Sequence, residues 1–268
     1  MNDTELMAER QRVAERIAQE AGALALDYFR RRDALVIETK RHITDLVSEA
    51  DREVETLIRD ALTRAFPDDA QLGEEHGLSE GTSGFTWVID PIDGTAPYLN
   101  GLPGWCVSIG GCDSEGPALG VIVAPVLDET FSARRGQGAN LNGAPIRVTG
   151  GDLRSGLLGI GANDRIPAEK VGRMLTDLMT AQSAWVRYGS GALMLAWVAA
   201  GRLVGYAEPR MSAWDCMAAY CLILEAGGKV MPFPDGDALV RPAPVLGAGP
   251  GVFDELTGIC AFGTAPDW

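Results

Sequence analysis

Apolar residues recur at helical spacing in two long segments near the beginning of the chain. Residues 4–32 and 45–66 place many of their apolar side chains three, four and seven positions apart, which predicts two amphipathic helices. Thr44 or Asp45 is positioned to cap the second helix. Asp51 falls on the apolar face of that helix, where a buried carboxylate requires a partner or a metal ion. Asp51 is therefore a candidate for either a structural or a functional role.

Short apolar runs bounded by Gly, Pro, Asp and Asn follow from residue 85 onward. They predict strands at residues 85–89, 105–110, 118–124 and 129–133. Beyond about residue 150 the pattern alternates, with strands predicted at 156–160 and 203–207 and helices at 167–181, 191–200 and 214–226. This order predicts an α/β fold of two tightly packed halves, which we assign to residues 1–148 and 149–268.

Composition and charge narrow the class of protein. The chain has 268 residues, of which 46% are apolar, and a net charge of −14. So acidic a surface repels nucleic acid and anionic membranes, and we predict neither as a partner. Residues 192–200 form the longest strongly apolar stretch, which is too short to span a membrane, and the N-terminal segment lacks the apolar core of a signal peptide. Three of the five cysteines lie in apolar runs, which favours a reduced, cytoplasmic protein.

The segment from Asp90 to Thr95 combines features that suit both a cation and a phosphate. A strand is predicted to end at Asp90, because Pro91 blocks the strand ladder, and a second carboxylate follows at Asp93. Gly94 permits close backbone approach, and Thr95 begins a predicted helix whose exposed N–H groups suit a phosphate. Carboxylates beside a helix N-terminus are what a hard cation and a phosphate need together. A turn in which the two acids only cap and solvate explains the same residues.

Two other acidic motifs have ordinary explanations when each is taken alone. Glu74 and Glu75 form a short acidic pair between a helix and a strand, which is typical of a solvated loop. Asp215 precedes an apolar helical run and is typical of an N-cap. The order of these motifs along the chain, together with the segment at Asp90, indicates a function more specifically than any one of them.

Four motifs in this order resemble the inositol monophosphatase family of lithium-sensitive, metal-dependent phosphatases. The motifs are residues 44–51, 72–75, 90–95, and 214–219 with 225–228, so the resemblance extends over nearly the whole chain. It implies a layered αβαβα arrangement, an α+β sandwich, and a homodimer. It also implies hydrolysis of a small phosphate monoester with two to three Mg²⁺ ions in each active site.

The resemblance implies a set of metal ligands. Glu74, Asp90 and the backbone carbonyl of Ile92 would bind one magnesium ion, and Asp90, Asp93 and Asp215 a second. A third, weaker ion would lie near Glu74 and water. Asp93 would also lie against the phosphate group.

The resemblance implies catalytic roles as well. Thr95, oriented by Asp51, would position the attacking water, and Glu75 would hydrogen-bond water held by the metal. The N–H groups of Gly94 and Thr95 would bind phosphate oxygens. Lys40 would lie on a mobile loop that closes the metal site.

The substrate pocket is less fully specified by the sequence. Five residues are candidates for contact with the substrate: Glu208, Gly191, Ala192, Asn163 and Arg210. By the resemblance, Glu208 would hydrogen-bond a hydroxyl or amine of the substrate. Arg210 is placed either to bind a second anionic group or to remain solvated.

Several classes of activity compete. We expect inositol-1-phosphate or a similar polyol phosphate as substrate, with histidinol phosphate as the nearest alternative. Esters with two phosphates are less favoured, because the sequence offers no second basic pocket beyond Arg210 and Arg187. A phosphatase of the haloacid dehalogenase type requires acids two positions apart, whereas Asp90 and Asp93 are three apart. A catalytically weak regulatory or binding protein on the same fold is the alternative of a different class.

Overall fold

Seven α-helices and fifteen strands lie within the residues that the computed structural model describes, which are 3–32, 37–39, 46–163, 165–234 and 236–260. The helices are α1 (Asp3–Arg30), α2 (Glu49–Ala65), α3 (Thr95–Leu99), α4 (Ala168–Thr180), α5 (Gly191–Ala199), α6 (Met217–Glu225) and α7 (Pro250–Cys260). Lys40, Thr44 and Asp45 lie outside the described residues.

The strands form two large sheets and one small one. They are β1 (Ile37–Thr39), β2 (Leu46–Ser48), β3 (Ala70–Gly73), β4 (Gly77–Ser79), β5 (Thr86–Asp93), β6 (Cys106–Asp113), β7 (Gly116–Ala124), β8 (Glu129–Arg134), β9 (Ala139–Leu141), β10 (Ala144–Ile146), β11 (Leu157–Ile160), β12 (Ala184–Val186), β13 (Gly205–Met211), β14 (Lys229–Val230) and β15 (Ala243–Ala248). The eight-stranded sheet has the order β10-β9-β8-β7-β6-β5-β3-β4, and the five-stranded sheet the order β12-β11-β13-β15-β14. β1 and β2 pair with each other.

The helices separate and cover the two large sheets. α1 and α2 pack on one face of the eight-stranded sheet, and α5 and α6 pack on its other face and against the five-stranded sheet. α4 and α7 pack together on the outer face of the five-stranded sheet. The predicted αβαβα layering is thereby confirmed. The division of the chain at residue 148 stays a prediction.

The predicted helix at residues 45–66 was wrong at its beginning. Residues Leu46–Ser48 belong to β2, which pairs antiparallel with β1, and α2 begins at Glu49. The apolar spacing continues across this boundary, so periodicity alone does not locate it. Pairing with the preceding strand, β1, overrides the helical pattern here.

The strand that carries Asp90 does not end there, contrary to prediction. β5 continues to Asp93, and its pairing with β6 shifts: Asp90 pairs with Ser108, whereas Asp93 pairs with Cys106. Pro91 and Ile92 of β5 therefore oppose the single residue Val107 of β6, which is a β-bulge. In a regular strand, side chains three apart point to opposite faces, and one extra residue brings them to the same side.

A buried ion pair ties α1 to the eight-stranded sheet. Arg10 on α1 donates to both carboxylate oxygens of Asp69, at 3.0 and 2.6 Å, and its guanidinium lies 3.9 Å from the centre of the Phe85 ring. Trp87 Nε1 also donates to Asp69, at 3.0 Å. A buried charge pair of this kind is costly to break because the remaining charge stays buried.

The described cysteines and helices bear on two further predictions. All five cysteines are buried and unpaired, in agreement with the reduced state expected from their apolar surroundings. None of the described helices combines the length and the apolar character of a membrane span.

Candidate metal and phosphate site

Three carboxylates from distant parts of the chain converge at one point. Asp90 and Asp93 lie on either side of the β5 bulge, and Asp215 ends a short 3-10 helix (Ala213–Asp215) that precedes α6. One oxygen of each lies within 4.8 Å of the others. Asp90 is 1% exposed and Asp93 is 7% exposed. The predicted convergence of these acids therefore exists in the fold, while their role as metal ligands stays a prediction.

Burial and mutual repulsion penalise the ionised forms of these groups. The pKa of Asp90 is raised well above its usual value, first by burial and then by the charges of Glu74, Asp93 and Asp215. The pKa of Asp215 is raised for the same reasons, with burial the largest cause. Because a divalent cation would offset both effects, and because oxygen donors are what Mg²⁺ prefers, this set of residues fits a magnesium site.

Asp93 is held in place by the beginning of α5. Its carboxylate accepts hydrogen bonds from Ser190 Oγ at 2.5 Å and from the backbone N–H of Ala192 at 2.7 Å, with the N–H of Gly191 at 3.4 Å. These bonds favour the ionised form, although burial still leaves the pKa of Asp93 raised. The N–H groups of Gly191 and Ala192, which we predicted at the substrate, thus bond to Asp93.

Ser190 was missed by sequence reasoning, although its position carries a signal. Ser190 is the N-cap of α5 and accepts the N–H of Leu193 at 3.3 Å. A Ser before an apolar helical run predicts such a cap. What the sequence does not reveal is that the same hydroxyl donates its proton to Asp93, 97 positions away along the chain.

Thr95 and Asp51 lie near each other, while the catalytic roles that the resemblance implies for them stay predictions. Thr95 Oγ1 lies 3.5 Å from Asp51 Oδ1 and 3.3 Å from the carbonyl oxygen of Ile92. A hydroxyl has one proton, so it donates to one of these acceptors at a time. Asp51 is 2% exposed on α2, and its burial is therefore explained by a partner in this site.

The turn after Asp93 requires glycine. Gly94 has a φ of 96°, in the left-handed region, and a Cβ there would lie 2.7 Å from the carbonyl oxygen of Gly104. α3 then begins at Thr95. The turn directs the chain from β5 into this helix, and the binding of phosphate oxygens by Gly94 and Thr95 stays a prediction.

Glu55 is a further site residue that sequence reasoning missed. It lies one turn after Asp51 on α2 and is fully buried. Its carboxylate accepts the backbone N–H of Glu75 at 2.7 Å and that of His76 at 3.2 Å. A Cβ on Gly73 would lie 2.1 Å from Glu55 Oε1. Glu55 therefore fixes the segment that carries the two predicted acids of the motif at residues 72–75.

A cavity of about 550 Å³ opens beside the carboxylates. Its lining includes Glu74, Asp93 and Asp215, and also Glu208 and Asn163. Asn163 Nδ2 donates to Glu208 Oε1 at 3.2 Å. Burial raises the pKa of Glu208 to about 7.

The wall of this cavity continues beyond Glu208. The hydroxyl of Tyr206 donates to Glu208 Oε2 at 2.6 Å. Gly191, Arg165, Arg187 and Arg210 also line the cavity. Arg165 was not recognised from the sequence as a pocket residue.

The fold and the site define a layered α/β protein in which elements of both halves build one cavity with a candidate divalent-cation site. The sequence profile described as "Inositol monophosphatase family" matches residues 6–258. The chain belongs to the inositol monophosphatase family.

Relatives within the family carry different names. The "Nus factor SuhB" of Haemophilus influenzae is 34% identical over 248 residues, which cover 91% of this chain and 92% of that protein. The "Histidinol-phosphatase" of Chlorobaculum parvum is 35% identical over 238 residues, 86% of this chain and 91% of that protein. The "Inositol-1-monophosphatase" of Mesorhizobium japonicum is 40% identical over 208 residues, 75% of this chain and 77% of that protein.

Solved structures of relatives have the same fold. The extragenic suppressor protein suhB from Bartonella henselae matches with a TM-score of 0.86 at 30% identity, covering 93% of this chain and 97% of that one. The IMPase of Thermotoga maritima matches with a TM-score of 0.83 at 29% identity, covering 94% and 97%. Because the relatives carry several names, family membership alone does not define the substrate.

Proposed function

We propose that this protein is a magnesium-dependent phosphatase that hydrolyses a small phosphate monoester. The observation that supports this function most is the convergence of Asp90, Asp93 and Asp215 within 4.8 Å of one another. Two of these carboxylates have raised pKa values because of burial and repulsion, so ionisation of the cluster calls for a cation.

The ligands in this proposal are those expected from the resemblance. Glu74, Asp90, Asp93, Asp215 and the carbonyl of Ile92 would hold two to three Mg²⁺ ions. When bound, such ions activate water and stabilise the leaving oxygen of a phosphate ester. Carboxylates from distant segments suit Mg²⁺, because they are oxygen ligands and their negative charges offset the positive charge of the cation.

The chain's own residues have complementary roles in the proposal. When the Thr95 hydroxyl donates a hydrogen bond to Asp51, at 3.5 Å, its oxygen lone pairs would accept a hydrogen bond from water and orient it. Glu75, whose backbone N–H is held by Glu55, would accept a further hydrogen bond from water. The backbone N–H groups of Gly94 and Thr95 would bind phosphate oxygens.

The proposed substrate is inositol-1-phosphate or a similar polyol phosphate, with histidinol phosphate as the second candidate. Relatives named for each activity support both. Glu208 would accept a hydrogen bond from a hydroxyl or from an ammonium group. Because burial raises the pKa of Glu208 to about 7, ammonium recognition should improve as pH rises through neutrality and Glu208 ionises.

A regulatory role without strong catalysis is the alternative of a different class. A relative that carries the name Nus factor SuhB supports testing this regulatory role. A lost metal ligand would mark such a protein, yet Glu74, Asp90, Asp93 and Asp215 are all present. The absence of nucleic-acid binding, predicted from charge, stays a prediction.

Phosphate release from inositol-1-phosphate and histidinol phosphate, measured as Mg²⁺ is titrated from zero, tests the proposal. We expect activity that requires Mg²⁺ and that Asp90→Asn reduces by at least about 100-fold, the size of effect expected when one electrostatic group is removed from a transition state. No release from either ester at any Mg²⁺ concentration would favour the regulatory alternative.

The resemblance supports three further properties of the proposed enzyme. Lithium at millimolar concentration should inhibit phosphate release. Sedimentation analysis should give the mass of a homodimer, and the protein should fractionate with the cytoplasm.

A further inference from the structure

Arginine side chains line the cavity on the side of Glu208. Arg210 follows Glu208 by two residues on β13, and both line the cavity. Arg187 lines the same cavity, and its charge lowers the pKa of Glu208. Arg165 completes the set. A protein with a net charge of −14 thus has three arginine residues in the lining of one cavity that is also lined by Asp93 and Asp215.

The position of Arg210 is fixed through its backbone. Its carbonyl oxygen accepts a hydrogen bond from Asn163 Nδ2 at 2.8 Å, and the same amide group lies 3.2 Å from Glu208. β13 also has a bulge between Glu208 and Met211 in its pairing with β15. Bulges redirect side chains, and they recur beside active sites. The hydrogen bond from Asn163 holds the Arg210 backbone in the wall of the cavity that the residue lines.

The guanidinium of Arg210 has one buried donor that lacks a partner in the described structure. Its Nε atom is buried and has no hydrogen-bond partner among the described residues. A buried donor on a charged group is costly to leave unpaired. Native structures rarely contain such an unpaired donor without a functional reason. Arg187 donates to the carbonyl oxygen of Ala162 at 3.1 Å, which leaves other N–H groups of its fork available.

Charge balance against the acidic cluster is the simpler explanation of these arginines. It predicts ion pairs between them and nearby carboxylates. Among the residues that the structure describes, the ion pairs of other arginines are evident, as in Arg10 with Asp69 and Arg202 with Glu129, but none joins Arg187 or Arg210 to a carboxylate. Within the described part of the chain, Arg187 and Arg210 therefore line the cavity without an ion pair, and Glu208 is the carboxylate whose pKa the charge of Arg187 lowers.

We infer that the substrate carries a second anionic group, a carboxylate or a phosphate, which Arg210 and Arg187 bind while the reacting phosphate lies at the carboxylate cluster. This inference rests on the proposed function. Arginine rather than lysine suits such a group, because its planar donors match two oxygens of a carboxylate or phosphate at once. It also revises the expectation from sequence that esters with two phosphates are disfavoured, since Arg187 and Arg210 both line the cavity.

Pairs of esters that differ only in the second anion test this inference. Glucitol 6-phosphate and 6-phosphogluconate differ by a hydroxymethyl group in place of a carboxylate. Fructose 1-phosphate and fructose 1,6-bisphosphate differ by the second phosphate. With Mg²⁺, kcat/KM for the anionic member of at least one pair should exceed that of its partner by about tenfold or more, the scale of one hydrogen bond to a charged group. The pair with the larger ratio identifies the anion.

Variants then assign the preference to the arginines. Arg210→Met and Arg187→Met should each reduce the ratio of kcat/KM within the preferred pair by about 10- to 100-fold, mainly through KM. Arg210→Lys should restore part of it, since the charge returns without the planar donors. Arg202→Met is the matched control, because Arg202 is exposed and pairs with Glu129 outside this cavity. Thermal melts establish that each variant is folded.

The outcomes separate this inference from the proposed function. Equal kcat/KM within both pairs, or an unchanged ratio in Arg210→Met and Arg187→Met, would overturn the second-anion site while leaving the phosphatase intact. If no ester releases phosphate, the proposed function fails, and calorimetric binding of the same pairs decides the inference. Binding of an anionic member that is lost in Arg210→Met supports it, and equal or absent binding within both pairs overturns it.

Discussion

Replacing Glu55 by glutamine should loosen the segment that carries Glu74 and Glu75. The amino-acid sequence of that segment stays unchanged. The buried Glu55 carboxylate accepts the N–H groups of Glu75 and His76 at 2.7 and 3.2 Å, and Arg59 Nη1 lies 3.3 Å away. An amide has a single acceptor oxygen, so its NH₂ group faces one of these donors and leaves it unsatisfied. One such donor costs about 1–3 kcal/mol, and the lost charge opposite Arg59 adds to this, so we expect a loss of about 2–4 kcal/mol in the free energy of unfolding.

Equilibrium unfolding in urea measures this loss, and calorimetric titration with Mg²⁺ measures its effect on cation binding. If about 1.4 kcal/mol of the lost energy serves to hold Glu74 in place, Mg²⁺ should bind about tenfold more weakly. Glu53→Gln is the matched control, because Glu53 is an exposed residue of the same helix and accepts only an exposed hydrogen bond from Tyr28 in the described structure. The control should stay within about 0.5 kcal/mol of the parent. Equal stability and equal Mg²⁺ affinity in the two variants would refute the reasoning.

Buried charges elsewhere give three more expected outcomes. Asp93→Asn should lower kcat by at least about 100-fold while the protein stays folded, because it removes a proposed metal ligand and relieves carboxylate repulsion; phosphate release and a circular dichroism melt measure both. In EDTA, the unfolding temperature should fall as pH rises above about 4, because the raised pKa values of Asp90 and Asp215 make the folded state bind more protons than the unfolded chain. Mg²⁺ should remove this fall, and a fall that Mg²⁺ leaves unchanged would contradict the assignment. Arg10→Met should cost about 3–5 kcal/mol in urea unfolding, because Asp69 then stays buried without the cation that lies 2.6 Å away; a loss below about 1 kcal/mol would argue against it.

Most of the fold was predictable because its elements have strong local patterns. The long apolar periodicity of α1 and most of α2 and the short runs of β5 to β8 identify their positions to within a few residues. The candidate site was predictable for a related reason: Asp90, Asp93 and Asp215 belong to short motifs whose order along the chain resembles one family. Neither inference required knowledge of which strands pair.

What the sequence does not predict depends on contacts between distant segments. The bulge that brings Asp90 and Asp93 to one side arises from the pairing of β5 with β6, and Pro91, which cannot donate to a strand ladder, is compatible with a bulge but does not specify that pairing. Glu55 does not stand out in the sequence from the other acids of a charged helix. Its role depends on folding, because its carboxylate oxygens accept hydrogen bonds from backbone N–H groups 20 and 21 residues later. Arg165 joins the pocket only when the segment after β11 packs beside β13.

Folding and cation binding are linked most directly at Asp90. The fold compensates Asp93 with donors at the beginning of α5, among them Ser190 and Ala192, whereas Asp215 accepts the N–H of Ser212 at 3.0 Å and is only partly buried. Asp90 accepts the N–H of Ile92 at 3.0 Å, and it faces the charges of the other acids at 1% exposure. The group that the protein compensates least is therefore the one where a cation contributes most. A ligand at 100 times its dissociation constant adds about 2.7 kcal/mol to stability, so Mg²⁺ should complete the packing between the β5 bulge and the turn before α6 as well as prepare the site for a phosphate ester.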